Sequence, residues 1–238
     1  MVAHAGFVVR DALVLRRKIR VVCVGAVFTV PEERSKGLAS HVLREVLAHA
    51  RPGADLVMIS GDRGLYRRLG MDPVPPLALF RLPDTVSATE NLDIREISAV
   101  DLKAMAALYD AEDVHFIRPP DDWTRLWTAG RLVDGPAKFW LVERAGLVVA
   151  YLLVQHAGPR PDGSSRPRRI LEFAGARDAI VQAAPAVAEE LLLPAYDTAT
   201  VALCEGKGWH RSTRQFSVTA EALTMDVTVI PWYGLNYV

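Results

Sequence analysis

The first 82 residues alternate between strand-like and helix-like patterns of hydrophobic positions. Residues 6–30 form a Val-rich run that is typical of paired strands, and residues 38–50 carry apolar side chains at helical spacing. Residues 55–60 form a short apolar run between turn residues, which predicts a buried strand. A turn and short helix at residues 61–70 and an extended, proline-broken segment at residues 71–82 complete an α/β pattern.

A polar stretch of small residues at positions 83–91 is the best candidate for a linker. Beyond it the pattern restarts, with a strand, two helices, a hairpin, a strand and a further helix predicted over residues 92–192. We therefore predict two domains, at residues 1–84 and 92–238.

A short basic loop leads directly into the predicted helix at residues 38–50. The N-terminus of a helix has unpaired backbone N–H groups and a partial positive charge. Gly37 would let a ligand approach the backbone closely because it has no Cβ, and Arg34 and Lys36 add formal positive charge. These features favour a phosphate or pyrophosphate site. An ordinary basic loop before a helix is the alternative, since the stretch matches neither the Walker loop nor the G-x-G-x-x-G pattern.

The composition bears on the class of function. The chain has 238 residues with 28 basic and 28 acidic side chains, so net charge gives no general reason to expect nucleic acid or a membrane as partner. Apolar runs are shorter than the roughly 18 residues of a membrane-spanning helix, and the first residues do not follow the pattern of a signal peptide. Two lone cysteines, Cys23 and Cys204, indicate reduced thiols and a cytoplasmic protein. The six histidines show no metal-ligand spacing, so we expect no metal.

Two motifs together resemble a known superfamily. Arg34-x-x-Gly37-x-Ala39 follows a strand that ends at Val30, and this spacing is similar to the R/Q-x-x-G-x-G/A acyl-CoA loop of the GNAT superfamily of N-acetyltransferases. Further along the chain, "GLYRRLGM" at residues 64–71 resembles the LY-x-x-LGF segment of the same superfamily. The resemblance covers residues 6–82 well. It implies an α/β fold with a mixed, mostly antiparallel sheet flanked by helices.

The resemblance also implies roles for individual residues. Backbone N–H groups of the loop would hold the pyrophosphate of acetyl-CoA, the cosubstrate, and the end of the preceding strand would bind the pantetheine arm through its main chain. Tyr66 would be the general acid that protonates the CoA thiolate, which suits a phenolic hydroxyl donor. The alternative for Tyr66 is a core aromatic residue. The implied cofactor-binding residues are Phe28, Thr29, Val30, Arg34, Ser35, Lys36, Gly37, Leu38, Ala39 and Ser40.

The general base is left open by the sequence. The strand before the loop contains no carboxylate at its end, and Glu32, Glu33 and Asp62 are the nearest acidic residues. We expect the two glutamates at the solvent edge of the loop and Asp62 at the N-cap of the short helix. A relay of water molecules is a further alternative.

Two departures from the superfamily pattern shape the expected architecture. The first strand and two helices of an ordinary member are missing ahead of the Val-rich run, so we expect a first unit that is truncated at its N-terminus. The second unit resembles a repeat of the fold, but residues 176–182 lack the acyl-CoA motif. We therefore expect a tandem of two GNAT-like units, of which the second is degenerate and covers the acceptor cleft of the first.

These expectations converge on one function with open alternatives. The resemblance implies an acetyl-CoA-dependent N-acetyltransferase in which an amine attacks the thioester directly in a ternary complex. The identity of the amine is not encoded in any motif. The alternatives are a non-catalytic acyl-CoA-binding or protein-interaction module, and a structural partner that does not bind CoA. An open sheet edge would also allow a homodimer.

Overall fold

The computed structural model describes residues 1–84, 91–133, 135–156, 158, 163, 165–226 and 228–231. Within these residues the chain forms two compact units. Met1–Pro75 and Gln215–Pro231 form unit 1, and Pro76–Arg214 forms unit 2. Each unit combines a β-sheet with helices, which confirms the prediction of a mixed α/β fold.

The strands and helices are numbered along the chain. The strands are Ala3–Val14 (β1), Arg17–Thr29 (β2), Leu56–Ser60 (β3), Asp72–Pro73 (β4), Leu77–Arg81 (β5), Asp93–Glu96 (β6), Val114–Phe116 (β7), Arg131–Leu132 (β8), Gly135–Arg144 (β9), Leu147–Gln155 (β10), Arg169–Gly175 (β11), Glu190–Leu193 (β12), His210–Arg214 (β13) and Val218–Ala222 (β14). The helices are Leu38–Ala50 (α1), Gly64–Arg67 (α2), Leu102–Asp110 (α3), Pro120–Ala129 (α4), Arg177–Val187 (α5) and Thr198–Gly206 (α6), with 3-10 turns at Pro31–Glu33 and Ala99–Asp101.

Unit 1 contains a mixed sheet in which its strands lie in the order β4-β14-β3-β2-β1. β1 and β2 form a long antiparallel hairpin from the Val-rich run of the sequence. β3 runs parallel to β2 after a crossover through α1. β14 comes from much later in the chain and pairs antiparallel with β3.

One face of the unit 1 sheet is covered by α1, because this helix turns an apolar stripe toward the strands. Its residues Leu43 and Leu47 are fully buried. This burial holds the N-terminus of α1 close to the loop that follows β2. The buried members of the core are Val22, Val24, Leu43, Leu47, Ala50, Ala54, Val57, Ile59, Tyr66 and Met71.

Unit 2 contains a larger sheet in the order β13-β5-β12-β11-β10-β9-β6, with β8 attached to β9. β9 and β10 form the hairpin that the sequence predicted. β11 and β12 are parallel and are connected by the crossover helix α5, whereas their other neighbours pair antiparallel. α5 is buried in the core of unit 2 through Ala179, Ile180 and Val181, and it continues past Pro185 to Val187.

A buried ion pair lies inside unit 2. Arg118 donates two hydrogen bonds of 2.8 Å to the carboxylate oxygens of Glu172, and Tyr151 donates to the same carboxylate at 2.9 Å. The guanidinium carbon of Arg118 lies 3.9 Å from the ring centroid of Tyr109 and 4.7 Å from that of Trp123. Burial alone would lower the pKa of Arg118, but the adjacent Glu172 carboxylate raises it above its ordinary value. The pair therefore keeps its charges in the interior.

The two units differ from the predicted domains at residues 1–84 and 92–238. β5 precedes the predicted boundary, but it pairs with β12 and β13 and belongs to unit 2. β14 follows that boundary, but it pairs with β3 and β4 and belongs to unit 1. Most of the predicted linker falls at residues 85–90, outside the described residues. Backbone hydrogen bonds to strands distant in sequence decide where these segments belong, and a local pattern does not contain that information.

Candidate functional site

β2 carries a bulge near its end. The register of β1 with β2 shifts between His4 and Gly6, and Ala26 in the bulged stretch of β2 has a φ of 52°. A bulge of this kind bends the strand that contains it. The parallel pairing of β2 with β3 ends at Val24 and Ile59, although β2 itself continues beyond that pair. β2 therefore runs past the end of β3, and its last residues have no partner in β3. We call the space beside these residues the opening between β2 and β3.

The loop after β2 leads directly into α1. The 3-10 turn Pro31–Glu33 and Ser35, which has a φ of 65°, precede the N-cap residue Gly37, which has a φ of 78°. His41 donates the first hydrogen bond of the helix to Gly37 O at 3.0 Å, so the N–H groups of residues 38–40 come before the hydrogen-bonded ladder. None of the described side chains caps this end. Among the described residues, an added Cβ at position 37 would meet no atom within 4 Å, which leaves space for a ligand beside the positively polarised end of α1.

The two basic side chains of the loop each bind a group nearby in the sequence. Arg34 Nε donates to Thr29 O at 3.2 Å, which folds the guanidinium onto the end of β2. Lys36 Nζ pairs with Glu33 Oε2 at 2.9 Å, and both side chains are partly exposed. An exposed pair of this kind contributes about 0–1 kcal/mol, so an anionic ligand could replace the carboxylate at small cost.

Tyr66 lies in α2, shortly after the end of β3. Its side chain is only 2% exposed and is part of the unit 1 core. Gly61 lies against the ring and has a φ of 122°, and an added Cβ there would be 2.8 Å from Tyr66 Cε2 and 3.5 Å from the phenolic oxygen. A larger residue at position 61 would both strain the backbone and displace the ring. Gly61 therefore fixes the phenol at the end of β3.

None of the three acidic residues considered as general bases is buried. Glu33 is paired with Lys36, and Glu32 is exposed. The predicted N-cap role of Asp62 is wrong, because the N-cap residue of α2 is Arg63. The described part of the chain also contains no group of three or more His, Cys, Asp or Glu side chains that could hold a metal ion. Among the same residues, no helix combines the length and hydrophobicity needed to cross a membrane.

In unit 2, the side chain of Glu112 lies beside the N-terminus of the crossover helix α5. Glu112 Oε1 accepts hydrogen bonds from the backbone N–H of Gly175 at 3.0 Å and from Arg177 Nη1 at 2.8 Å. Arg177 Nε also pairs with Asp197 Oδ2 at 3.1 Å. Burial alone would lower the pKa of Arg177, but Glu112 and Asp197 raise it. A carboxylate thus lies where the end of a helix could otherwise bind an anionic ligand.

Several solved structures share the architecture of the chain. A GCN5-related N-acetyltransferase from Kribbella flavida superposes with a TM-score of 0.65 over 94% of this chain, at 17% sequence identity. The chain has a GNAT fold. The same GNAT fold is found in a GCN5-related N-acetyltransferase from Anabaena variabilis, with a TM-score of 0.65 over 92% of this chain at 14% identity. Eis1 from Mycobacterium abscessus matches with a TM-score of 0.61 over 93% of this chain at 15% identity.

The chain covers 58%, 59% and 62% of these three GNAT structures, respectively, which is about three fifths of their length. No protein-family model matches the sequence, and no curated protein matches it. The comparisons therefore establish the GNAT fold, while the reaction is inferred from the site.

Two features of this structure, the bulge in β2 and the contacts of Glu112, were not predicted from the sequence. The bulge in β2 has a local signal, because a glycine such as Gly25 within a strand often marks a bulge. Glu112 has no such signal, because the groups that it binds at Gly175 and Arg177 are 63 and 65 residues away in the sequence.

Proposed function

We propose that the protein is an acetyl-CoA-dependent N-acetyltransferase in which an amine attacks the thioester directly in a ternary complex. The observation that carries this proposal is the path of the main chain from the opening between β2 and β3 into the uncapped N-terminus of α1. This path offers strand-end peptide groups to an amide-containing arm and helix N–H groups to a pyrophosphate. The GNAT fold, shared with two GCN5-related N-acetyltransferases, supports the proposal.

The cofactor would lie along this path. The pyrophosphate would bind at Gly37 and the N–H groups of Leu38, Ala39 and Ser40. Ser35 and the cations of Arg34 and Lys36 would border it. The pantetheine arm would bond the main chain of Phe28, Thr29 and Val30. Thr29 O already accepts from Arg34 Nε, but a carbonyl oxygen has two lone pairs and can accept a second hydrogen bond.

Tyr66 is the proposed general acid, which would protonate the sulfur of CoA as the C–S bond breaks. Its position beside Gly61 at the end of β3 supports this role, because β3 borders the opening. The burial of Tyr66 favours the second candidate function, a non-catalytic acyl-CoA-binding module in which this tyrosine only packs the core.

Tyr66→Phe distinguishes the two functions. Release of CoA would be measured with small primary amines, an aminoglycoside and peptides with a free N-terminus or lysine, alongside calorimetric binding of acetyl-CoA. The enzyme account predicts that the variant loses about 10²–10⁴-fold in kcat while its affinity for acetyl-CoA is unchanged. Binding of acetyl-CoA without turnover of any amine, identical in wild type and variant, would support the module instead.

The proposal assigns the reaction to unit 1. We propose that unit 2 is a degenerate GNAT-like unit that does not bind CoA, and the Glu112 carboxylate at the N-terminus of α5 supports this. The two cysteines, Cys23 and Cys204, are free thiols, which supports a cytoplasmic location.

A further inference from the structure

We propose that His4 is the general base of this reaction and takes a proton from the acceptor amine at its Nε2 atom. This inference rests on the proposed function and assigns the general base, which the sequence left open.

The main chain of β2 holds His4 in one tautomer. His4 Nδ1 lies 3.0 Å from Ala26 O. Because a carbonyl oxygen can only accept, Nδ1 carries the proton in this hydrogen bond, and in the neutral imidazole Nε2 then keeps its lone pair. Within the part of the chain that the structure describes, His4 makes no hydrogen bond through Nε2. A neutral imidazole with an available Nε2 is the form that can act as a general base.

Neighbouring residues also fix the plane of the imidazole. The ring stacks on Phe28, with ring centroids 5.7 Å apart and an angle of 18° between the planes. Gly6 leaves space next to the ring, where an added Cβ would lie 3.4 Å from His4 Cε1. The side chain is half-buried, so it is ordered by its neighbours and still reachable by a substrate.

His4 lies on β1, on the other side of β2 from β3, and its ring reaches the bulge of β2 at Ala26 O. Val24 and Ile59 are the last residues paired between β2 and β3. Ala26, which binds His4, is two residues beyond Val24, and Gly61, which contacts Tyr66, is two residues beyond Ile59. An acyl group carried along the end of β2 toward the bulge would therefore approach the residue that His4 contacts.

The side chains of His4 and Tyr66 belong to opposite faces of the sheet. Ala5 and Val27 pack against the core that contains Tyr66. His4 adjoins Ala5 in the strand, and Phe28 adjoins Val27, so both project from the other face. An acid and a base on opposite faces can act on two different atoms, the departing sulfur and the attacking nitrogen.

His4 Nε2 takes one proton from the ammonium form of the acceptor, which gives a neutral amine and an imidazolium. The amine nitrogen forms a bond to the thioester carbon, and the C–S bond breaks as the tetrahedral intermediate collapses. The thiolate takes the hydroxyl proton of Tyr66, and the tyrosinate regains a proton from the new amide nitrogen through solvent. The imidazolium then gives its proton to solvent, so each transfer releases one proton.

His4→Asn tests the assignment, because the asparagine amide can still donate to Ala26 O but has no basic nitrogen. His49→Asn is the matched control, since His49 Nδ1 also lies within hydrogen-bond distance of a main-chain oxygen, Glu45 O at 2.7 Å, but on α1. We expect His4→Asn to lower kcat/KM for the amine at least about 100-fold with an unchanged Kd for acetyl-CoA, and His49→Asn to leave both values unchanged.

His4→Ala provides a second test that does not depend on the folding of the first variant. We expect added imidazole to restore part of its turnover, and not to stimulate Tyr66→Phe. If His4→Asn turns over the amine as fast as the wild type, or if imidazole does not raise the turnover of His4→Ala, the role of His4 is overturned and the proposed function is left intact. Absence of turnover in the wild type would overturn both.

Discussion

The buried pair of Arg118 and Glu172 offers a sharp test of the interior of unit 2. Arg118→Met removes the cation and keeps a side chain of similar length. The side chains of the pair are 1% and 5% exposed, so water cannot replace the lost partner of Glu172. The variant would also lose the stacking of the guanidinium on Tyr109 and Trp123.

The magnitude follows from the cost of an unpaired buried charge. Removing one member of such a pair destabilises a protein by about 3–5 kcal/mol, so we expect the free energy of unfolding of unit 2 to fall by that amount. The double variant Arg118→Met, Glu172→Gln removes the unpaired charge and keeps an acceptor for the hydroxyl of Tyr151. We expect it to regain more than half of the loss, because paired removal of buried charges is often close to neutral.

Urea unfolding followed by tryptophan fluorescence measures this effect. Trp123, Trp127, Trp140 and Trp209 all lie in unit 2, so the signal reports on this unit. If Arg118→Met lowers the free energy of unfolding by less than about 1 kcal/mol, the pair contributes no more than an exposed ion pair and the reasoning is refuted. A double variant that is no more stable than the single variant would refute it as well.

Three further predictions concern other parts of the chain. Gly61→Ala should lower the free energy of unfolding, measured by urea titration, by about 2–4 kcal/mol, because the new Cβ would meet the Tyr66 ring and the backbone at position 61 has a positive φ. A loss of unfolding free energy under about 1 kcal/mol would contradict the close packing of Gly61 on Tyr66. Hydrogen bonds from Arg95 hold the pKa of Asp101 well below its ordinary value of 3.8, so the ionised carboxylate stabilises the fold above pH 3.8 and this stabilisation is lost as the pH falls further. The difference in unfolding free energy between wild type and Asp101→Asn should therefore shrink in acid. A difference that stays constant with pH would contradict this role of Asp101. Burial raises the pKa of the Cys204 thiol to about 12, so iodoacetamide should label this cysteine in urea and not in the native protein. Mass spectrometry measures the labelling, and rapid labelling of Cys204 in the native protein would contradict its burial.

Elements with a strong local pattern were predictable from the sequence. The Val-rich run became the β1–β2 hairpin, and the apolar stripe after Gly37 became α1. β13 was not predictable, because all five of its residues are exposed and it has no apolar alternation. β13 forms by pairing with β5, which lies more than 120 residues earlier in the chain. The Ser212 hydroxyl, for example, donates to Leu79 O, 133 positions earlier.

The candidate site divides in the same way. The loop motif is a local spacing, so the sequence could predict that Gly37 precedes a helix that begins at Leu38. The position of His4 depends on the register of β1 with β2 and on the bulge at Ala26, and neither follows from periodicity. Long-range register is a property of paired strands, so such residues are found only once the sheet is known.

Binding of acetyl-CoA at the N-terminus of α1 is the central claim, and calorimetric titration of wild type, Gly37→Asp and Gly37→Asn tests it most directly. Asp and Asn both tolerate the left-handed backbone of position 37 and have nearly the same size, so the two variants differ by one negative charge. Two like charges about 4 Å apart repel by roughly 1 kcal/mol in water and about 4 kcal/mol near a protein surface, which corresponds to a loss of about 5- to 1000-fold in affinity. We predict that the wild type binds acetyl-CoA, that Gly37→Asp binds more weakly than Gly37→Asn by a factor in this range, and that the gap narrows as salt is added. Equal affinities in the two variants, or no binding by the wild type, would contradict the account.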